Sequence, residues 1–137
     1  MYITTLDFSE AIYREIRETI SRYSETFVSH HSLRAEREVE ARLSTRYDIA
    51  VELVKTGNSR NQMLVGITRD IAIYYMYLTQ ETRPNIRVKA YDDAIALLKD
   101  IAAGKASLDL PPAPTDPGES QSGLIAWGSN QRRFNEI

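Results

Sequence analysis

Apolar residues between positions 59 and 104 recur at intervals of three and four, and this feature restricts the fold more than any other. Such spacing places side chains along one face of an α-helix. A turn at residues 80–83, followed by Pro84 in the first turn of the next helix, divides the stretch into two helices of about 20 residues, each about 30 Å long. The sequence therefore predicts an all-α fold, a small helical bundle built on two long antiparallel helices. The stripes are Met63, Leu64, Ile67, Ile71, Tyr74, Tyr75 and Leu78 in the first helix, and Tyr91, Ala94, Ile95, Leu98, Ile101 and Ala102 in the second.

The N-terminal part of the chain predicts two further helices. Thr4 and Asp7 have the spacing of a capping box, and Ile3 and Phe8 have that of a hydrophobic staple. We expect one helix from about residue 5 and a second, after a break at residues 21–24, that ends near residue 47. The apolar stripes are Phe8, Ile12, Ile16 and Ile20 in the first, and Phe27 or Val28, His31, Ala35, Val39 and Leu43 in the second. Because the second stripe is thin, we expect that helix to lie outside the long pair or to face a partner.

Residue types at the later boundaries predict where helices begin and end. Asp48 can cap a short helix that follows it, and Gly57 suits the left-handed position after that helix. Ser59 and Gln62 form another capping box, which would open the first long helix. Gly104 is expected as the left-handed residue that ends the second long helix.

No set of residues has the composition and spacing of a catalytic, cofactor or metal site. The chain has no cysteine, which excludes disulfides and thiolate chemistry, and it contains no catalytic serine motif and no phosphate-binding glycine loop. His30 and His31 are adjacent, so on a helix they point about 100° apart and cannot bind one ion together; we expect His31 on the apolar stripe and His30 in solvent. The remaining candidates are interpreted as exposed helix carboxylates: Asp70, Asp92, Asp93 and Asp100. We predict no enzyme, no cofactor and no metal.

Charge and hydropathy predict no sequence-specific nucleic-acid partner and no membrane partner. The formal net charge is -2, so the chain is not a cation that binds polyanions. Tyr74 and Tyr75 are expected in the core and Tyr77 is a candidate contact residue, but no basic patch accompanies them as in a base-stacking surface. No window approaches the ~18 apolar residues that span a bilayer, and the N-terminus has no signal-peptide pattern.

Beyond residue 106 the composition changes to that of an extended arm. Four of the five prolines lie there, and they predict a stiff linker that cannot be helical. We divide the chain into a helical bundle domain, residues 1–106, and a C-terminal arm, residues 107–137. An apolar island at residues 124–127 can form one strand of a short β-hairpin, with residues 128–130 as its turn. Since an isolated hairpin is barely stable, the arm should dock either on its own bundle or on a neighbouring subunit. Its predicted protein-interface residues are Leu124, Ile125, Trp127, Arg132, Arg133 and Phe134.

Three runs of residues, together with a Met-Tyr-Ile-Thr start and an Arg-x-Phe tail, form an ordered pattern along the chain. The runs are Arg46-Tyr47; Thr68-Arg69-Asp70-Ile71-Ala72-x-Tyr74-x-x-Tyr77; and Arg87-x-x-x-Tyr91-x-x-Ala94-x-x-x-Leu98-x-x-Ile101-Ala102-x-Gly104-Lys105-x-x-Leu108-x-x-Pro111. In this order and spacing, and nearly end to end, the chain resembles the Mu-like phage family of head–tail connector, or head completion, proteins.

The resemblance implies a virion structural protein without catalysis. Connector proteins of this kind assemble as a ring at the portal vertex and link the portal protein to the stopper or tail components. The expected location is the head–tail interface of the virion, with the host cytoplasm during assembly, and the isolated protein can be a monomer. The main alternative is a small cytoplasmic protein-binding regulatory module, such as an antitoxin-like protein. The second alternative, an enzyme or a metal-binding bundle, has no support in the sequence.

Overall fold

The computed structural model describes residues 1–4, 6–8, 25–79 and 84–114. These residues are mostly helical, which confirms the all-α prediction, and their one element of β-type pairing is an isolated antiparallel bridge between Tyr47 and Pro112. Residues 6–8 are helical, and a single 3-10 turn occupies Gly57–Ser59. The longer elements are α1 (Glu25–Leu43), α2 (Ile49–Leu53), α3 (Gln62–Tyr77) and α4 (Asn85–Ala102).

Helix α3 is the centre of the bundle, with α1 and α4 both packed along it. Most of its residues are buried, and few of them are charged. The fully buried Thr68 donates a hydrogen bond from its hydroxyl to the Leu64 carbonyl at 2.7 Å, so this polar group has a partner in the core. The predicted pair of long helices is thus confirmed as α3 and α4. No helix within the described residues combines the length and the apolar character that crossing a membrane requires.

Helix α1 forms the third side of the core and contacts both α3 and α4. Its predicted stripe is buried from Val28 to Leu43, but Ser32 and Glu36 are buried with it, so the packed face is wider than the apolar residues suggest. Ser32 Oγ donates to the Val28 carbonyl at 2.8 Å, which allows that hydroxyl to lie in the core. α1 is therefore part of the core rather than a helix outside the long pair. It ends at Leu43, before the bridge residue Tyr47.

Two of the predicted helix boundaries require correction. Ser59 does not cap α3, because it lies in the 3-10 turn and its hydroxyl donates to the Thr56 carbonyl at 2.6 Å. The N-cap is Asn61, whose side-chain oxygen accepts from the Leu64 N–H at 3.1 Å. Asp48 precedes α2 but makes no side-chain capping hydrogen bond.

The glycine at the end of α4 has its predicted role. Gly104 has φ +86°, in the left-handed region that favours glycine. Its N–H donates to the Ile101 carbonyl at 3.2 Å, and the Lys105 N–H donates to the Asp100 carbonyl at 2.8 Å. These two bonds are the pair that defines a Schellman motif, and they satisfy carbonyls that the helix end leaves without partners.

At the N-terminus Thr4 and Asp7 form a variant of the capping box, in which the Thr4 hydroxyl donates instead of accepting. The Thr4 N–H donates to Asp7 Oδ2 at 2.7 Å, as predicted, but the Thr4 hydroxyl also donates to Asp7 at 3.0 Å, and the Asp7 N–H donates to the Thr4 carbonyl. Ile3 and Phe8, the staple residues, are both buried. Three residues of the predicted first stripe, Ile12, Ile16 and Ile20, lie outside the described residues, as do the breaks at residues 21–24 and 80–83.

Candidate functional site: the anchored base of the C-terminal arm

The structure describes the arm as far as Pro114. The six predicted interface residues, from Leu124 to Phe134, lie outside the described residues, as does the predicted hairpin, so both stay predictions. What the structure adds is the way in which the arm begins. The segment at residues 105–114 comprises the last two residues of the predicted bundle domain and the first eight of the arm, and we call it the arm base. It is fixed to the bundle by backbone pairing, an arginine and a tyrosine.

Backbone pairing joins the arm base to the loop between α1 and α2. The Asp48 N–H donates to the Pro111 carbonyl at 2.9 Å, and the Ala113 N–H donates to the Arg46 carbonyl at 3.0 Å. These two bonds flank the antiparallel bridge between Tyr47 and Pro112. Proline at the bridge position costs no hydrogen bond, because the N–H groups that pair belong to Ala113 and Asp48. The arm therefore leaves the bundle from a fixed place and in a fixed direction.

Arg46 connects the arm base to the end of α4. Its Nη1 donates to the Ile101 carbonyl and, at 2.8 Å, to the Ala106 carbonyl. Ile101 belongs to the last turn of α4, where free carbonyls and the negative end of the helix dipole favour a cation. One guanidinium therefore contacts the helix end and the first residues of the arm base.

Tyr47 fixes the buried part of the arm base. Its hydroxyl oxygen accepts a hydrogen bond from the Leu108 N–H at 3.0 Å, and both residues are buried. Leu108 packs with the main apolar core, so the arm base contributes to the fold of the bundle as well as leading away from it. In the sequence, Arg46, Tyr47 and Leu108 stand out only through the family likeness. Their hydrogen bonds, from Arg46 to the end of α4 and to Ala106 and from Leu108 to Tyr47, join residues 55 to 61 positions apart and leave no periodic signal.

A second polar cluster fixes the N-terminal residues to the bundle. Glu36 Oε1, on α1, accepts from the N–H of Tyr2 at 2.9 Å and from that of Ile3 at 3.2 Å. Glu52 Oε2, on α2, accepts from the Tyr2 hydroxyl at 2.8 Å and from the Asn61 N–H at 2.6 Å. Both glutamates are buried, and sequence reasoning missed them because charged helix residues are normally solvated.

The ionisation of this cluster follows from its hydrogen bonds. Burial alone would raise the pKa of the Glu52 carboxyl, but the Asn61 N–H, the Lys55 ammonium at 2.9 Å and the Tyr2 hydroxyl together hold that pKa below its ordinary value. Burial and the neighbouring Glu52 carboxylate raise the pKa of Tyr2. The carboxylate therefore stays charged and the phenol stays protonated, which is the combination that the hydrogen bond between them requires.

Arg60 and Asp7 form the most buried ion pair of this cluster. The guanidinium meets the carboxylate in a two-point contact, with Nη1 at 2.7 Å from Oδ2 and Nη2 at 3.0 Å from Oδ1. Burial opposes ionisation of Asp7, but the hydrogen bonds from Arg60 and Thr4 outweigh it and lower the pKa of that carboxyl. Bidentate pairs of this kind fix geometry as well as adding energy.

The tyrosines of α3 are structural. Tyr74 stacks on Tyr91 of α4, with ring centroids 4.0 Å apart and planes 18° apart. Tyr75 is buried, its hydroxyl donates to Glu38 Oε1, and the Arg34 guanidinium lies 3.9 Å from its ring centroid. The prediction of Tyr77 as a contact residue is wrong, because its side chain is buried too.

The two histidines and three of the four aspartates lie as expected, whereas Asp70 is more buried than expected. His31 is buried on α1, which lowers its pKa, and His30 is exposed. Asp92, Asp93 and Asp100 are exposed, and Asp70 is half-buried beside Arg69, with Nε 3.6 Å from Oδ1. Among the described residues, no three acidic, histidine or cysteine side chains are grouped as metal ligands would be.

Comparison with known proteins assigns the family. No curated protein shows significant similarity to this chain. The sequence profile of the family described as "Bacteriophage Mu, Gp36", however, matches residues 3–126. This match covers α1 to α4, the arm base and the first two predicted interface residues of the arm. The chain therefore belongs to the bacteriophage Mu Gp36 family.

Proposed function

We propose that this protein is a head–tail connector, a non-catalytic virion protein that assembles as a ring at the portal vertex and joins the portal protein to the stopper or tail components. The observation that carries the proposal is the family match over residues 3–126, since it assigns the chain to a phage family and includes part of the arm. The proposed location is the head–tail interface, with assembly in the host cytoplasm.

The architecture supports an adaptor of this kind. The bundle has a core of its own, and the arm base is fixed to it by backbone pairing. The proposal assigns residues 115–137 to contacts with a neighbouring protein. Leu124, Ile125, Trp127 and Phe134 supply apolar contact area, and Arg132 and Arg133 supply charge-assisted hydrogen bonds to that neighbour. A ring is built from head-to-tail contacts, in which each subunit offers one surface and receives another. The net charge of -2 also suits a channel through which DNA passes, because it provides no general attraction for phosphates.

The test is electron microscopy of the purified protein mixed with the portal protein of the same phage or prophage. We expect added ring-shaped density at one end of the portal. A portal that stays unchanged at saturating protein concentration would refute the connector role.

Two truncated chains test whether the arm is required. A chain that ends at Pro114 keeps the arm base and should retain the helical circular dichroism of the full chain but lose portal binding. The matched control, a chain that ends at Phe134, keeps all six interface residues and should bind normally. Equal portal binding by both truncated chains would show that the bundle alone makes the contact.

A further inference from the structure

Two segments are attached to the bundle through contacts of different chemistry. The arm base is held by backbone pairing, by the Arg46 guanidinium and by the Tyr47 hydroxyl, and none of these contacts involves a carboxylate. Residues 1–4 and 6–8, which we call the N-terminal segment, are held through carboxylates. Because carboxyl groups take up protons between about pH 5 and pH 2, the two attachments should respond differently to acid.

Two glutamates reach the N-terminal segment from neighbouring helices. Glu36 of α1 accepts from the N–H groups of Tyr2 and Ile3 at 2.9 and 3.2 Å. Glu52 of α2 accepts from the Tyr2 hydroxyl at 2.8 Å. Hydrogen bonds to an ionised acceptor are roughly twice as strong as those to a neutral one. Protonation of either glutamate therefore weakens the bonds that join the segment to that helix.

The third carboxylate belongs to the segment itself. Asp7 meets the Arg60 guanidinium in a two-point contact, and the same guanidinium donates to the Tyr2 carbonyl at 2.7 Å. Both side chains of the ion pair are largely buried, with 9% and 11% of their surface exposed. Protonation of Asp7 would replace this ion pair with a neutral acid beside a cation, so it removes the attraction between the segment and the start of α3.

Further charged groups near the three carboxylates favour their ionised form. The Lys55 ammonium lies 2.9 Å from Glu52 Oε1, and the Met1 ammonium is one residue from the N–H groups that α1 binds. Glu25, at the start of α1, lines a small cavity beside the segment, but within the described residues it makes no hydrogen bond to the segment. The local charges therefore stabilise the attached segment only while its carboxylates are ionised.

The sign of the pH dependence follows from linkage. Burial opposes ionisation, but hydrogen bonds and cations outweigh it and hold the pKa values of Asp7 and Glu52 below their ordinary range. In the detached segment these carboxyls would return to ordinary pKa values of about 3.9 and 4.3. The contribution of the carboxylates is therefore complete above about pH 5, and it is lost progressively as the pH falls below 4 and through the lower folded pKa values.

We propose that acid releases the N-terminal segment selectively: protonation of Asp7, Glu36 and Glu52 detaches it from the bundle while the arm base stays attached. The contacts among α1, α3 and α4 do not involve the segment, so these helices can stay packed when it opens. Because Tyr2 and Phe8 are buried, release exposes apolar surface at this place on the bundle. The inference is independent of the connector role.

Amide hydrogen exchange of the full chain, followed by NMR from pH 7 to pH 3, tests the release. The amides of Ile3 and Asp7 report on the segment, and those of Leu108 and Ala113 report on the arm base. Each rate is divided by that of an unstructured peptide at the same pH, which gives a protection factor. We expect the segment amides to lose at least about tenfold more protection than the arm-base amides, the factor for losing one hydrogen bond to a charged group.

Glutamine variants test the two glutamates without acid. The double variant Glu36→Gln/Glu52→Gln keeps the size of both side chains and an acceptor oxygen on each, but removes their charge. At pH 7 it should lower the protection of the segment amides about tenfold and leave the arm-base amides unchanged. The matched control is Glu40→Gln, one turn further along α1, where the carboxylate pairs with Arg37 at 3.0 Å and not with the segment. The control should exchange as the wild type does.

Three results would overturn the inference. In the first, acid lowers protection equally in the segment and in the arm base, which includes the case in which the whole bundle unfolds. In the second, the segment amides keep their full protection at pH 3. In the third, the double glutamine variant exchanges as Glu40→Gln does at pH 7.

Discussion

Replacing Tyr47 with phenylalanine would remove one oxygen atom from the base of the arm. The ring of Tyr47 is 6% exposed and would keep its packing, so the change isolates the hydrogen bond that its hydroxyl accepts from the Leu108 N–H at 3.0 Å. No other partner for that N–H is present among the described residues. The variant therefore leaves a backbone donor without an acceptor in a site that is 8% exposed at Leu108.

The cost follows from desolvation. A buried N–H without a partner destabilises a protein by about 1–3 kcal/mol, and the small remaining exposure of Leu108 favours the lower half of that range, about 1–2 kcal/mol. For a chain of this length, 1 kcal/mol lowers Tm by roughly 3–5 °C, so Tm should fall by about 3–10 °C if the arm base unfolds together with the bundle. If the arm base opens separately, the loss appears only in its own amides.

Urea unfolding and amide hydrogen exchange distinguish these two cases. In Tyr47→Phe, the amides of Leu108, Asp48 and Ala113 should exchange faster, by about tenfold for each 1.4 kcal/mol lost. The matched control is Tyr91→Phe, because the Tyr91 hydroxyl has no hydrogen-bond partner among the described residues. If the two variants have the same unfolding midpoint and the same exchange at these amides, the hydrogen bond does not hold the arm base and the reasoning is refuted.

The remaining predictions concern the N-terminal ion pair and two glycines. Asp7→Asn should cost about 1–3 kcal/mol at pH 7, since it removes the carboxylate charge from a largely buried two-point contact with Arg60. Because the folded pKa of Asp7 lies below the unfolded value of about 3.9, its contribution is complete above about pH 5 and is lost progressively as the pH falls below 4 and through the lower folded pKa. The urea midpoints of wild type and variant should therefore converge in acid, and a difference that stays constant down to pH 2 would contradict the pair's role. Gly104→Ala should lower stability by about 1–2 kcal/mol because its φ is +86°, whereas Gly66→Ala, inside α3 with no contact closer than 3.7 Å, should raise it by about 0.5–1 kcal/mol. Equal signs for the two glycine variants in thermal melts would refute the backbone argument.

The helices could be predicted from the sequence because their signal is local and repeated. Apolar spacing identified α3 and α4, and the stripe from Val28 to Leu43 identified α1. Gly104 could be placed because its role depends only on the backbone at the end of one helix. The cap of α3 could not be chosen from sequence alone, since Ser59 and Asn61 are both good capping residues. The 3-10 turn at Gly57–Ser59 decides between them, because it contains Ser59 and so leaves Asn61 to precede α3.

The polar contacts that organise the molecule could not be predicted, because they join distant residues by chemistry that has no period. Glu36 and Glu52 resemble ordinary solvated helix residues until the N-terminal backbone and Tyr2 supply their donors. Arg46 follows the end of α1, where sequence alone gives it no partner, yet it binds carbonyls at residues 101 and 106. Such contacts require the fold to be known first.

The pairing of residues 111–113 with residues 46–48 has a mechanical consequence. A pull on the arm beyond Pro114 acts first on the bonds between Ala113 and Arg46 and between Pro111 and Asp48, before it can reach the end of α4. Tension is therefore delivered to the junction between α1 and α2, next to the buried centre of the bundle, and the last helix is shielded from being unwound. A partner bound to the distal arm would therefore apply its force to the bundle at this junction.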